Sequence, residues 1–131
     1  MIYKGKLFLL FIVFGLFGCG PSAIHTGLQN FSYHNRARLQ LITPGMEKDD
    51  VLKAMDSNAK AIMEDGMILS NPFKTETFSN AEGTTIEVLF YYTEVIEPDK
   101  LVNEDELTPI VFTKGKVSGW GKSYLNGQLG K

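Results

Sequence analysis

The sequence predicts an α+β fold: N-terminal helices packed on one face of a three- to four-stranded antiparallel sheet, in a two-layer sandwich. Three observations carry that expectation. Up to about residue 56 the apolar residues fall at helical spacing, with Val51, Leu52 and Met55 on one stripe behind an acidic start at residues 47–50. From Asn71 onward the pattern changes to alternation, rich in threonine and aromatic residues. Lys114-Gly115 then separates two apolar runs as a hairpin turn. Helices followed by strands is the order of an α+β domain, not of an alternating α/β one.

At the start of the chain, Lys4 and Lys6 precede eleven uncharged residues, Leu7 to Phe17, interrupted only by Gly15. A basic start and about 7–15 apolar residues make a secretory signal. A spanning helix needs about 20, so this run is short for one. The following Leu16-Phe17-Gly18-Cys19 resembles a bacterial lipobox, with Phe17 bulkier than the residue usual there. The resemblance implies cleavage between Gly18 and Cys19 and lipid on Cys19. It also implies three acyl chains, and each buried CH₂ contributes about 0.8 kcal/mol, so such an anchor is lasting. Gly20 stands where an aspartate would retain the protein at the inner membrane. The resemblance therefore implies the outer membrane, periplasmic side, or the outer face of the cell membrane in a Gram-positive source. Cys19 is the only cysteine, which rules out an intramolecular disulfide.

The expected organisation is a signal peptide over 1–18, a lipidated tether over 19–32, small and polar, and an α+β domain over 33–131. Removing the signal leaves 113 residues, enough for one small domain. It takes two of the thirteen Lys and Arg and none of the fifteen Asp and Glu, so the mature chain carries a net charge of −4. That mild acidity argues against nucleic acid as a partner, which requires a basic face.

Residues 33–42 suit a short amphipathic helix, with a strand as the alternative because Leu39 and Leu41 also alternate. Thr43-Pro44-Gly45 breaks the chain. A second helix begins at Glu47–Asp50 and stops near Asp56-Ser57-Asn58. Residues 59–69 suit either more helix or an irregular link. Strands are expected over Phe73–Phe78, over Thr84–Ile96, the strongest of them, over Leu107–Thr113 and over Lys116–Leu125. A charged loop, Lys100–Glu106, precedes the last pair.

Gly45-Met46-Glu47-Lys48-Asp49-Asp50-Val51-Leu52 resembles the opening of the SmpA/OmlA, or BamE-like, small outer-membrane lipoproteins. Asn71-Pro72-Phe73 with Thr77-Phe78 resembles their first strand. Leu107 to Phe112, then Gly115 to Trp120, resembles their closing hairpin. The likeness spans about residues 35–125. Glu47 departs from the family's threonine, and Met55-Asp56-Ser57-Asn58 replaces its Gly-x-Pro. The resemblance implies the same fold and an accessory role in outer-membrane protein assembly.

No catalytic constellation is apparent. His25 and His34 have no ligand spacing, no serine sits in Gly-x-Ser-x-Gly, and Gly115-Lys116-Val117-Ser118-Gly119 lacks the Gly-Lys-Ser/Thr element of a phosphate loop. Glu97, Asp99, Glu104, Asp105 and Glu106 lack EF-hand order and read as a solvated loop. No metal and no cofactor are expected. Leu89, Tyr91, Trp120 and Tyr124 fall on the sheet face opposite Ile86, Val88, Phe90 and Tyr92, and two readings stay open for them: an exposed partner-binding patch, or core. The reading that follows is a non-enzymatic, lipid-anchored envelope protein that binds another envelope protein. The alternatives are a cell-wall- or lipid-binding lipoprotein and an inhibitor-like module acting on an envelope enzyme.

Overall fold

A computed structural model describes residues 23–97 and 101–131. The expected signal peptide, the cleavage residue Gly18 and the lipidation residue Cys19 lie outside the described residues, as does Asp99 of the acidic loop. The α+β fold is present. Its centre is a four-stranded antiparallel meander of β3 (Lys74–Ser79), β4 (Thr85–Tyr92), β5 (Leu107–Thr113) and β6 (Lys116–Trp120), paired in that order. Before it come α1 (Ala23–Arg38), α2 (Lys48–Ala54) and a hairpin of β1 (Lys60–Ile62) and β2 (Ile68–Ser70); α3 (Lys122–Leu129) follows it.

The sheet is covered on both faces, which explains why β4 reads Val88-Leu89-Phe90-Tyr91-Tyr92 without a polar break: a strand enclosed on two sides has no wet positions. Ile86, Val88, Phe90 and Tyr92 meet Val111 and Leu107 on the first face, together with Leu28 and Phe31 of α1, the β1–β2 hairpin and Leu125 of α3. Leu89, Tyr91, Ile110, Phe112 and Val117 form the second face, under Leu39, Ile42 and the Val51–Met55 stripe of α2. Helical cover therefore extends beyond the single face expected. A strap holds α2 in place: Gly45 N donates to Val117 O at 2.8 Å, Val117 N donates to Met46 O at 2.9 Å, and Glu47 bridges Lys116.

Three segments differ from expectation. The stretch read as tether is helical from Ala23, and it buries Leu28 and Phe31. These two and Asn35 recur at i, i+3 and i+7, a stripe diluted by polar neighbours. Residues 59–69 form neither helix nor irregular link but a hairpin, turned at Gly66 (φ +86°), with Asp65 Oδ1 accepting from Met67 N at 2.8 Å. The last strand ends at Trp120, because Gly121 takes φ +100° and starts α3.

Two polar clusters tie these layers together. Asn35 and Asn71 are buried and exchange amide hydrogen bonds, Asn35 Nδ2 to Asn71 Oδ1 at 2.9 Å and Asn71 Nδ2 to Asn35 Oδ1 at 2.7 Å. Their remaining donor capacity goes to Tyr92 O (2.9 Å) and Met55 O (2.9 Å). One pair thus joins α1, the end of α2, the end of β2 and the end of β4. The second cluster corrects the reading of the acidic loop as wholly solvated, since Glu106 is fully buried. Its carboxylate accepts from Ile96 N (2.9 Å), Glu97 N (3.0 Å) and Asn103 N (3.0 Å), and its carbonyl accepts from Thr93 N (2.9 Å). Charge-assisted bonds to backbone N–H groups are the means by which a buried carboxylate is satisfied.

Removing a buried amide strands its partners, at about 1–3 kcal/mol for each unsatisfied group. Asn71→Ala is therefore expected to lower unfolding free energy by about 2–4 kcal/mol in urea titration. Asn71→Asp, which cannot donate to Met55 O, is expected to lose at least as much. Tyr91 gives a second prediction. Burial pushes its phenol above its ordinary range, and its hydroxyl has no hydrogen-bond partner among the described residues. A raised folded-state value means that the unfolded chain releases this proton first. Stability is then intact below about pH 10 and falls above it by about 1.4 kcal/mol per pH unit for this one group. Tyr91→Phe is expected to be neutral or stabilising at pH 7 and to flatten the alkaline loss, as read from urea midpoints between pH 8 and 11.

Candidate functional site

The four residues considered for a partner-binding patch do not share a surface. Leu89 and Tyr91 are core residues of the second face, sealed beneath α2 and the 3₁₀ turn Leu39–Leu41. This corrects the exposed reading for both, and its cause is the cover on that face. Tyr124 is half-buried against the first-face core. Trp120 is the one of the four that is exposed, at 39%.

The separation of Trp120 from Tyr124 has a local cause. The β5–β6 ladder pairs Val111 with Gly119 and Phe112 with Val117, so Ser118 is the extra residue of a bulge. Ser118 Oγ donates to Val111 O at 3.3 Å and accepts from Thr113 Oγ1 at 3.0 Å. The bulge puts Val117 and Trp120 on the same face, where simple alternation sets them apart. Gly119, on the other face, leaves room for the Tyr124 ring: a Cβ there would meet Tyr124 Cζ at 2.7 Å. Trp120 is thus held by its strand, with Tyr124 packed behind it.

Trp120 forms one wall of a groove of about 480 Å³. The opposite wall is the outer face of α1 and its continuation, with Tyr33, Arg36 and Gln40. Leu39, Thr93 and Thr108 lie between, and Glu94 closes one side. The threonine hydroxyls bond to each other at 2.7 Å. Around Tyr33, Arg36 and Glu94 the groove continues into a recess of about 530 Å³ beside Gln29 and Val95. Past Trp120 it opens into another of about 310 Å³, bordered by Tyr124, Asp105 and Lys122, the last two paired at 3.2 Å. The Glu106 latch fixes Thr93 and Glu94 here, since their N–H groups both donate to Glu106 O. Burial, followed by the nearby Glu106 charge, raises the Tyr92 phenol above its usual range.

Tyr33 is 61% exposed, and its ring meets the exposed His34 edge-on, with centroids 5.7 Å apart. Two exposed aromatic rings, a guanidinium, carboxylates and an ammonium thus line one trough, the mixture that apolar anchoring with a polar rim requires. Among the described residues no group of three His, Cys, Asp or Glu side chains could hold a metal ion, and no helix is long and apolar enough to cross a membrane. Sequence reasoning found Trp120 but missed Tyr33, Arg36 and Glu94. For Tyr33 and Arg36 the signal was the i, i+3, i+7 stripe that buries Leu28, Phe31 and Asn35 and so turns these two outward; Glu94 is placed by its bond to Glu106 O, which the sequence pattern does not contain.

Fold and groove together define a small α+β domain with an aromatic-walled trough between its first helix and the end of its sheet. The profile of a family described as "Protein of unknown function (DUF3192)" matches residues 21–126, and the chain belongs to that family. No curated protein and no solved structure matches it.

The Gly119–Tyr124 contact is directly testable. Gly119→Ala is expected to cost about 1–3 kcal/mol through overpacking. In a Tyr124→Ser background, which empties that space, the same substitution is expected to cost much less, so a double-mutant cycle in urea reads the contact.

Proposed function

We propose that this protein is a non-enzymatic, lipid-anchored component of the cell envelope that binds another envelope protein in the Trp120–Tyr33 groove. The observation that carries the reading is the groove itself. Trp and Tyr contribute large contact area with few rotatable bonds, and they dominate binding energy where a partner desolvates them. Here the frame under Trp120 is a β-strand backed by Tyr124, so little ordering entropy remains to be lost on binding. Arg36, Glu94, Asp105 and Lys122 offer both signs of charge along the trough, which suits a polypeptide better than a uniformly charged polymer.

The anchoring part of the proposal rests on the lipobox-like Leu16-Phe17-Gly18-Cys19 and the basic, apolar segment before it. The family match begins at residue 21, two positions beyond Cys19, which supports a mature domain starting there. Placement at the outer membrane, periplasmic side, follows from Gly20. An accessory role in outer-membrane protein assembly is the specific version, supported by the resemblance of residues 45–52 and 107–120 to the BamE-like lipoproteins.

The test is a photoreactive amino acid in place of Trp120 in the full chain, cross-linked in cells, with the captured species identified by mass spectrometry. Capture of one defined envelope protein, abolished by Arg36→Glu in the same chain, is the expected result. Capture of a β-barrel assembly subunit supports the specific version, and capture of a different envelope protein discards that version alone. Cross-linking to cell-wall glycan, or none at all in a protein that is folded and at the membrane, sinks the protein-binding reading.

A further inference from the structure

We propose that the outward face of the β1–β2 hairpin, centred on the cross-strand pair Ile62–Ile68, rests on the lipid surface in which Cys19 is anchored. The inference rests on the lipid-anchor reading and adds an orientation to it. Ile62 and Ile68 are direct partners across the hairpin, and each is 59% exposed. Their neighbours Ala61 and Leu69 turn inward to the first-face core. Single exposed apolar residues are ordinary; two side by side on a two-stranded sheet make a patch that calls for cover.

The position of the patch says what covers it. The first helix begins at Ala23, so only Gly20, Pro21 and Ser22 separate it from Cys19. Four steps of extended chain reach about 14 Å at most. The base of the hairpin is pinned through Asn71 to Asn35, on the C-terminal half of α1. Its inward residues Ala61, Met63 and Leu69 share one core cluster with Phe31 at the middle of α1 and with Leu28 in its N-terminal half. The hairpin thus runs back along α1 toward the anchored end. With the acyl chains holding the domain this close, docking is intramolecular, and a contact too small to bring a free protein to a membrane suffices. Glu64 and Asp65 at the hairpin turn favour a zwitterionic over an anionic surface. The same orientation leaves the Trp120 groove, beside the far half of α1, open to a protein partner.

The experiment uses the full, acylated chain. The Cys19 sulfur is consumed by lipid and no other cysteine exists, so Ile68→Cys supplies a unique thiol for an environment-sensitive fluorophore. Gln40→Cys, exposed beyond the far end of α1, is the control. Both are reconstituted in phosphatidylethanolamine–phosphatidylcholine vesicles carrying shallow nitroxide-labelled lipids. An interfacial contact buries apolar groups about 5–10 Å deep, so the label at position 68 is expected to be blue-shifted and quenched about twofold or more, with position 40 unaffected. Equal, unquenched emission at both positions in protein whose Cys19 peptide carries acyl mass overturns the docking and leaves the anchor standing. A blue shift at 68 without lipid quenching also overturns it, because another polypeptide then covers the pair. A Cys19 peptide without acyl mass removes the anchor, and the docking falls with it.

Discussion

Two side-chain amides hold this fold in register. Asn35 and Asn71 each spend donors and acceptor on the other, and what remains goes to the carbonyls of Tyr92 and Met55. Four elements are thereby fixed at one point. Apolar contact is non-directional and lets helices slide over a sheet. A buried amide pair permits one arrangement, because every other one leaves polar groups unpaired in a low dielectric. The Glu106 latch acts in the same way on the 93–106 segment, with its carboxylate as the acceptor for three backbone N–H groups. The two clusters sit at the end of β4, one on Tyr92 O and the other on Thr93 N. The groove is built around that point.

The strong strands were legible because their signal is local. The eight residues of β4 are dominated by β-branched and aromatic side chains, and Lys114-Gly115 takes the left-handed conformations (φ +54° and +78°) of a tight hairpin turn. The second helix was legible for the same reason, since an acidic start and an apolar stripe fit within one segment. The β1–β2 hairpin was not legible. Its strands have three residues each, and their inward members, Ala61 and Leu69, gain their meaning only from the first-face core they complete. The first helix was hidden by composition: most of its residues are polar, two of its buried positions are Ser32 and Asn35, and with only Leu28 and Phe31 as buried apolar residues among those described it resembles a linker until the sheet is placed beneath it.

The site was half legible. A lone tryptophan near the end of a strand attracts notice in any sequence, but which face it takes depends on the Ser118 bulge, a single unpaired residue that no alternation pattern contains. Leu89 and Tyr91 were ambiguous in the sequence because an apolar residue on the second face of a sheet is either core or surface, and only the folded chain decides. Here α2, strapped to β6 by residues 45–47, decides for core. Tyr33 and Arg36 become groove residues only because the C-terminal half of α1 lies alongside Thr93 and Thr108, some sixty residues or more further along the chain.

The reach of the amide pair bears on when the protein folds as well as how. Asn35 finds its partners 36 and 57 positions later in the chain. A polypeptide emerging from its N-terminus offers α1 the β1–β2 hairpin and Asn71 only when about half of the sequence has been made, and Tyr92 O only at about seven-tenths. Short of that point the helix is a marginal, solvated segment, since an isolated helix of this length has little stability of its own in water. Contacts of such long sequence separation also form slowly, because the intervening loop must close first. A chain wired in this way cannot close around its first helix until residues of its second half are present, so the fold is completed late in synthesis.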